Sequence, residues 1–173
     1  MTRSYSAALP IAYVLLRILV VLNWLIGAAI LALLLIMPNR DWIMSALDLS
    51  PGAEAERIVW GLRAIAAIGL VSIVMNYAIL KRLLAMVATV RAGDPFVAAN
   101  AYRLNAIAWL LLALQLIGLV IAIIARFISA PGHPVEIDGT TSINGWLAVL
   151  LTFILARVFA EGTLMREDLD GTI

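Results

Sequence analysis

The chain has 173 residues, of which 64% are hydrophobic and only 13% are charged, and its formal net charge is +1. Such a composition lies outside the range of soluble globular domains and indicates an integral membrane protein. The near-neutral charge gives no reason to expect direct binding to nucleic acid. The sequence contains no cysteine, which excludes disulfides, thiol redox chemistry and thiolate metal sites.

Four apolar runs dominate the sequence. They cover residues 9–37, 58–80, 104–127 and 143–160. Each reaches the ~20 residues that a helix needs to cross a hydrocarbon core of ~30 Å. The first run carries Arg17 and is too long for the h-region of a cleavable signal peptide, so we interpret it as the first span. The sequence therefore predicts one all-α domain over residues 1–173, a polytopic four-transmembrane-helix bundle in the lipid bilayer.

The connection after the first span contains two helix signals. An apolar stretch at 42–47 predicts a short helix lying on the membrane surface. Ser50 and Pro51 then resemble an N-cap and a first-turn proline, which predicts that the second helix begins near this point.

The second helix is expected to continue beyond its apolar run. Apolar residues keep helical spacing between Leu80 and Val87. Gly93 is predicted to end the helix, and Asp94 with Pro95 to cap the next one. The result is a helical extension between spans two and three. Its apolar stripes either pack on each other or form a docking surface for a cytoplasmic partner.

Loop charges predict the orientation in the membrane. The middle connection is basic, with Lys81, Arg82, Arg91 and Arg103 against Asp94 alone. The first connection has more acidic than basic residues, and the last carries Glu136 and Asp138. Because short basic loops stay in the cytoplasm, we expect the middle connection and both termini on the cytoplasmic side.

Several polar residues interrupt the spans. Five fall near their predicted cytoplasmic ends, namely Arg17, Asn76, Asn105, Arg157 and Glu161. Ionisable side chains within apolar spans are costly unless they are paired or hydrated. We expect these five to form one polar layer in which Glu161 bridges both arginines, either as a structural network or as a site for an anionic headgroup or peptide. Asn23 and Gln115 lie deeper, and we expect each to form an interhelical hydrogen bond.

The inventory of reactive side chains argues against catalysis. The sequence shows no Ser/His/Asp set, no phosphate loop and no paired intramembrane carboxylates. Its single histidine, His133, lies in a predicted loop, so we expect neither a haem nor a metal site. The first span has no carboxylate of the kind that proton-coupled exporters use. We therefore expect no cofactor and no enzymatic activity.

Two stretches carry a resemblance to a known family. Residues 92–100 read AGDPFVAAN and are followed by Arg103, while 159–162 read FAEG and 165–173 read MREDLDGTI. With four spans and this length, they resemble a bacterial domain-of-unknown-function family of small inner-membrane proteins. In that family a Gly-x-Pro-Phe turn follows span two, and an acidic tail ending in threonine and a β-branched residue follows span four. Members are often encoded beside a short helix-turn-helix regulator of the Cro/CI type.

The resemblance implies membrane-linked control of transcription through a small DNA-binding regulator. The candidate partner-binding residues are Gly93, Asp94, Pro95, Phe96, Arg103, Arg166, Glu167, Asp168, Asp170, Thr172 and Ile173. The tail acids are expected to lie against the basic middle connection or against a basic regulator. Two alternatives stay open: a small transporter, channel or lipid-binding bundle that uses the polar layer, and a structural subunit of a larger complex. The sequence also leaves a homo-oligomer open.

Overall fold

The structure is a computed structural model that describes residues 8–36, 45, 52–129 and 142–170. The described residues form four long helices, which are α1 (Ala8–Ile36), α2 (Ala53–Arg91), α3 (Ala98–Ile128) and α4 (Ile143–Asp170). All four are long and apolar enough to cross a membrane, by length and composition. This confirms the predicted all-α, four-span membrane fold.

Each helix packs against the helix that follows it in the chain. Within the described residues, α1 contacts only α2, and α4 contacts only α3. The bundle is therefore open, with α1 and α4 at its two edges and α2 and α3 between them. Large apolar side chains remain exposed on both edge helices. Lipid tails are as apolar as leucine, so such faces are compatible with a bilayer.

The α1–α2 interface combines a small residue with a polar contact. A Cβ at Gly27 would lie 2.9 Å from the Ile73 side chain, so the glycine permits close approach of the helices. The buried Asn23 amide donates a hydrogen bond to the Ile73 carbonyl oxygen, at 3.1 Å. This confirms the interhelical hydrogen bond expected for Asn23. Nearby, the Trp24 and Tyr77 rings pack with their centroids 5.3 Å apart.

The α3–α4 interface is built from aromatic and small residues. The Trp109 and Phe153 rings meet edge to face, with centroids 5.4 Å apart. Gln115 occupies the space that a Cβ at Gly145 would need, and its Nε2 donates to the Ser142 carbonyl oxygen at 3.4 Å. Gln115 thus makes its expected polar contact across this interface, with the backbone just before α4.

Helix α2 runs from Ala53 to Arg91, which confirms that it continues well beyond its apolar run. Gly93 has a φ of +86° and follows the helix end, as predicted. The predicted cap of the next helix is wrong: Val97, in an extended conformation, precedes α3, and no side chain caps it. The Asp94 carboxylate does not cap α3 but forms a salt bridge with Arg166. Ser50, Pro51 and the predicted surface helix at 42–47, apart from Ser45, lie outside the described residues.

Two basic residues of α2 lie about one bilayer thickness apart along the helix axis. Arg63 lies toward the start of the helix, and Lys81 lies toward the turn that connects α2 to α3. At ~1.5 Å per residue the helix rises about 27 Å between them. This is close to the ~30 Å thickness of a bilayer hydrocarbon core. We call the end of the bundle that holds residues 92–97 the turn end, and the other the opposite end.

Candidate functional site

The turn between α2 and α3 reverses the chain within a few residues. The amides of Ala92 and Gly93 donate to the carbonyl oxygens of Ala88 and Val90, at 3.1 and 3.0 Å. Nothing lies within 4 Å of a Cβ built on Gly93, so open space surrounds it. Its positive φ, which side chains other than glycine rarely adopt, is therefore what requires glycine here.

Asn100 is the side chain that holds this turn. It is 0% exposed, and its Nδ2 donates to the Thr89 hydroxyl at 2.7 Å and to the Pro95 carbonyl oxygen at 2.9 Å. Its Oδ1 accepts a hydrogen bond from Arg103 at 2.7 Å. One buried amide thus connects the end of α2, the turn and the start of α3. In an apolar setting a fully satisfied polar group of this kind specifies one arrangement.

Sequence reasoning did not assign Asn100 a role, although it lies within the stretch that carries the family resemblance. A signal was present: Asn100 lies one helical turn before Leu104, and both residues are buried on α3. An amide on the buried stripe of a helix needs hydrogen-bond partners, and the adjacent turn supplies them.

The two stretches that carry the family resemblance meet at the turn end. Arg166 of α4 forms a salt bridge with Asp94 of the turn. The Phe96 and Phe159 rings pack with their centroids 5.2 Å apart and an interplanar angle of 36°. A Cβ at Gly162 would lie 3.1 Å from the Phe96 ring, so glycine permits this approach. We call this set of five residues the turn–α4 contact.

The structure places the candidate partner-binding residues as follows. Asp94, Phe96 and Arg166 belong to the turn–α4 contact, and Gly93 and Pro95 shape the turn beside it. Arg103 contacts the turn indirectly, because it donates a hydrogen bond to Asn100, which itself binds the turn. Phe96 keeps 43% of its surface exposed although it packs on α4. The side chains of Glu167, Asp168 and Asp170, and residues Thr172 and Ile173 entirely, lie outside what the structure describes.

The single polar layer expected at the span ends is not formed. Glu161 accepts a hydrogen bond from Arg157 Nε at 2.8 Å, one turn away on the same helix. Arg17 instead donates to the Tyr13 hydroxyl, at 2.8 Å from Nη2. The expected bridging of both arginines by Glu161 is therefore wrong. The physical reason is the open bundle, in which α2 and α3 separate α1 from α4.

Of the remaining two members of that set, only Asn105 lies near another member. Asn76 is exposed on α2, and Asn105 is exposed on α3, where it lines a groove together with Arg157. Arg17 and Arg91 each lie 5.4 Å from the centroid of the Tyr13 ring. Tyr13 thus links the start of α1 to the end of α2 by cation–π contacts.

Metal ligands do not cluster in the described part of the chain. Among the residues described, no three His, Cys, Asp or Glu side chains lie together in a way that could hold a metal ion. His133 lies outside those residues.

Comparison with known families establishes the relationship of this chain. The family described as "Protein of unknown function (DUF2975)" matches residues 42–173, well over half of the sequence. The chain belongs to the DUF2975 family. The match contains α2, α3 and α4, and therefore the whole turn–α4 contact, while α1 precedes it. Membership in a domain-of-unknown-function family of four-span proteins was inferred from the sequence and is confirmed. Comparisons of this DUF2975 protein with curated proteins and with solved structures find no match.

Proposed function

We propose that this DUF2975 protein is a non-enzymatic protein of the bacterial inner membrane that binds a small cytoplasmic helix-turn-helix regulator and holds it at the membrane. The observation that carries the proposal is the turn–α4 contact. It brings the two sequence stretches that mark the family together at one end of the bundle. The regulator is the partner that the family resemblance implies.

The chemistry of the turn end suits such a partner. Phe96 offers a partly exposed aromatic surface, and aromatic side chains are enriched where proteins bind one another. Beyond Arg166, helix α4 continues to Asp170, and the sequence there contains Glu167, Asp168 and Asp170. Acidic side chains beside an aromatic group complement the basic surface that a regulator presents to DNA. Binding at this surface would compete with DNA and so keep the regulator inactive.

The proposal requires the turn end to face the cytoplasm. The chain has no cysteine, so single cysteines can report its orientation without background. Ala92→Cys places a thiol at the exposed turn, and Gly52→Cys places one at the exposed start of α2. In intact cells, a membrane-impermeant maleimide should label Gly52→Cys and should not label Ala92→Cys. Labelling of Ala92→Cys alone would contradict the orientation and the proposal with it.

Co-purification tests the partner directly. A helix-turn-helix regulator encoded beside the gene should be retained by the full chain in mild detergent. Two variants should lose it: Phe96→Ala, and the triple neutralisation Glu167→Gln, Asp168→Asn, Asp170→Asn. Arg126→Ala changes a charge at the opposite end and serves as the matched control.

Size-exclusion profiles would show that each variant remains folded. Retention of the regulator by the control and loss from both turn-end variants would support the proposal. Equal retention by all variants, or by none including the wild type, would overturn it.

A further inference from the structure

A groove of about 450 Å³ lies between α3 and α4, near the turn end but apart from the turn–α4 contact. Its lining includes Tyr102, Asn105, Phe153, Ala156, Arg157 and Ala160. Small-molecule sites typically occupy ~300–1,000 Å³, so this space suits the headgroup and upper acyl chains of one lipid.

The groove is polar toward one end and apolar toward the other. Arg157 lies on α4 one turn closer to the turn end than Phe153, which is about 6 Å along the helix axis. Phe153 packs on Trp109 and forms an apolar wall. Ala156 and Ala160 have small side chains, so α4 leaves room for a ligand beside α3. A phospholipid has the same order of polar and apolar parts along its length.

Arg157 lies near the turn-end limit of the apolar run of α4, which covers residues 143–160. From Ile143 onward it is the first charged residue on the helix, and Glu161 and then Arg166 follow it. A charged side chain at this position extends toward the phosphate layer, because exposure to hydrocarbon is costly. The polar end of the groove therefore lies at the depth of lipid headgroups.

The charges at the groove distinguish between classes of headgroup. Among the described residues, Arg157 donates to Glu161 through Nε, which leaves its two terminal nitrogens as donors for a ligand. Arg157 lines the groove, and Glu161 lies beside it, with its Oε1 2.8 Å from Arg157 Nε. Their side chains are 79% and 56% exposed, so the pair is open to a ligand at the edge of the groove. A guanidinium matches a phosphate, and a carboxylate matches an ammonium group. The pair is neutral overall, and it therefore complements a zwitterion better than a net anion.

We propose that this groove binds one molecule of phosphatidylethanolamine from the bilayer. The phosphate receives hydrogen bonds from Arg157, Asn105 and the Tyr102 hydroxyl, and the lipid ammonium donates to Glu161. The acyl chains lie along Phe153 and the alanines of α4. This site goes beyond the proposed function, since no part of it requires the regulator.

Lipid retention by the full chain tests the proposal. The purified protein is delipidated in detergent, offered equal amounts of three phospholipids, and weighed by native mass spectrometry. Phosphatidylethanolamine should be retained about fivefold over phosphatidylcholine, whose methylated ammonium donates no hydrogen bond to Glu161. Its retention should also exceed that of phosphatidylglycerol, which has a net negative charge and no ammonium group. The soluble headgroup phosphoethanolamine, offered alone, should not be retained.

Substitutions in the groove test the role of each residue in lipid binding. Glu161→Gln should remove the preference for ethanolamine over choline and keep lipid bound, whereas Arg157→Gln should lower retention of all three lipids. Ala160→Leu should fill the groove and abolish retention even if the arginine variant is unstable. Ala148→Leu, on an exposed part of the same helix, and Arg126→Gln, at the opposite end, are the matched controls.

Two results would overturn the proposal. Stronger retention of phosphatidylglycerol would identify an anion site instead. Equal retention of all lipids, unchanged in Ala160→Leu, would indicate only nonspecific lipid around the helices. Loss of the ethanolamine preference in Glu161→Gln, with regulator binding intact, would separate this site from the proposed function.

Discussion

Arg166 near the end of α4 forms a salt bridge with Asp94 in the turn between α2 and α3, and the same guanidinium lies 3.5 Å from the Phe96 carbonyl oxygen. The two charged residues are distant in sequence, yet they connect the two stretches that mark the family. Asp94 lies in the turn, and Arg166 follows the apolar run of α4, which covers residues 143–160, so the pair joins the turn to the last part of α4.

The salt bridge should contribute modestly to stability, because both side chains are nearly half exposed. A double-mutant cycle of Asp94→Asn and Arg166→Gln should give a coupling of about 0.5–1 kcal/mol, measured by unfolding in detergent. The coupling should fall when salt is raised, since exposed ion pairs are screened. A coupling near zero at low salt would show that the pair does not hold α4 on the turn.

Asn100 should matter far more than an exposed amide. Asn100→Ala removes partners from the Thr89 hydroxyl and the Pro95 carbonyl oxygen, and it leaves Arg103 without its acceptor. Loss of such a buried group should cost about 2–4 kcal/mol of unfolding free energy. Asn76→Ala, which removes the same group from an exposed position, should change stability by less than about 0.5 kcal/mol. Similar costs for both variants would contradict this role.

Gly162 should tolerate a side chain only when Phe96 is absent. Gly162→Leu forces atoms into the Phe96 ring and should separate it from Phe159, at a cost of about 1–3 kcal/mol. In a Phe96→Ala background the same change should cost much less, because the ring is gone. Thermal midpoints of the four proteins measure the difference. Additive costs would show that Gly162 acts through something other than Phe96.

The hydrogen bond between Asn23 and the Ile73 carbonyl should stabilise the edge position of α1. Asn23→Ala should lower stability by about 0.6–2 kcal/mol, the range found for interhelical hydrogen bonds in membranes. Because α1 contacts only α2 among the described helices, the variant should loosen α1 first. Hydrogen–deuterium exchange within α1 is expected to increase, while the turn–α4 contact stays intact. An unchanged unfolding midpoint would argue against this bond.

The sequence predicted polar contacts best where one helix meets its neighbour in the chain. Asn23 is an example, because an isolated amide in an apolar span has few partners other than the adjacent helix. Prediction failed for Arg17 and Glu161, which were expected to meet across the bundle. Hydropathy determines that a helix spans the membrane, but it does not determine which helices touch. In the structure α1 and α4 lie at opposite edges, and each charged residue finds a partner one turn away on its own helix.

Length and apolar composition alone determined that four helices span a membrane, since backbone groups in hydrocarbon must be satisfied within the helix. The helix end at Gly93 was also readable from the sequence, because glycine after an amphipathic helix is a common stop. The structure adds that this glycine has a positive φ. Only the tertiary structure decided that Asp94 pairs with Arg166, that Asn100 holds the turn, and that the bundle is open. These features depend on contacts between residues far apart in the chain. No local pattern encodes such contacts, because helices in lipid pack by shape and hydrogen bonding more than by burial of apolar surface.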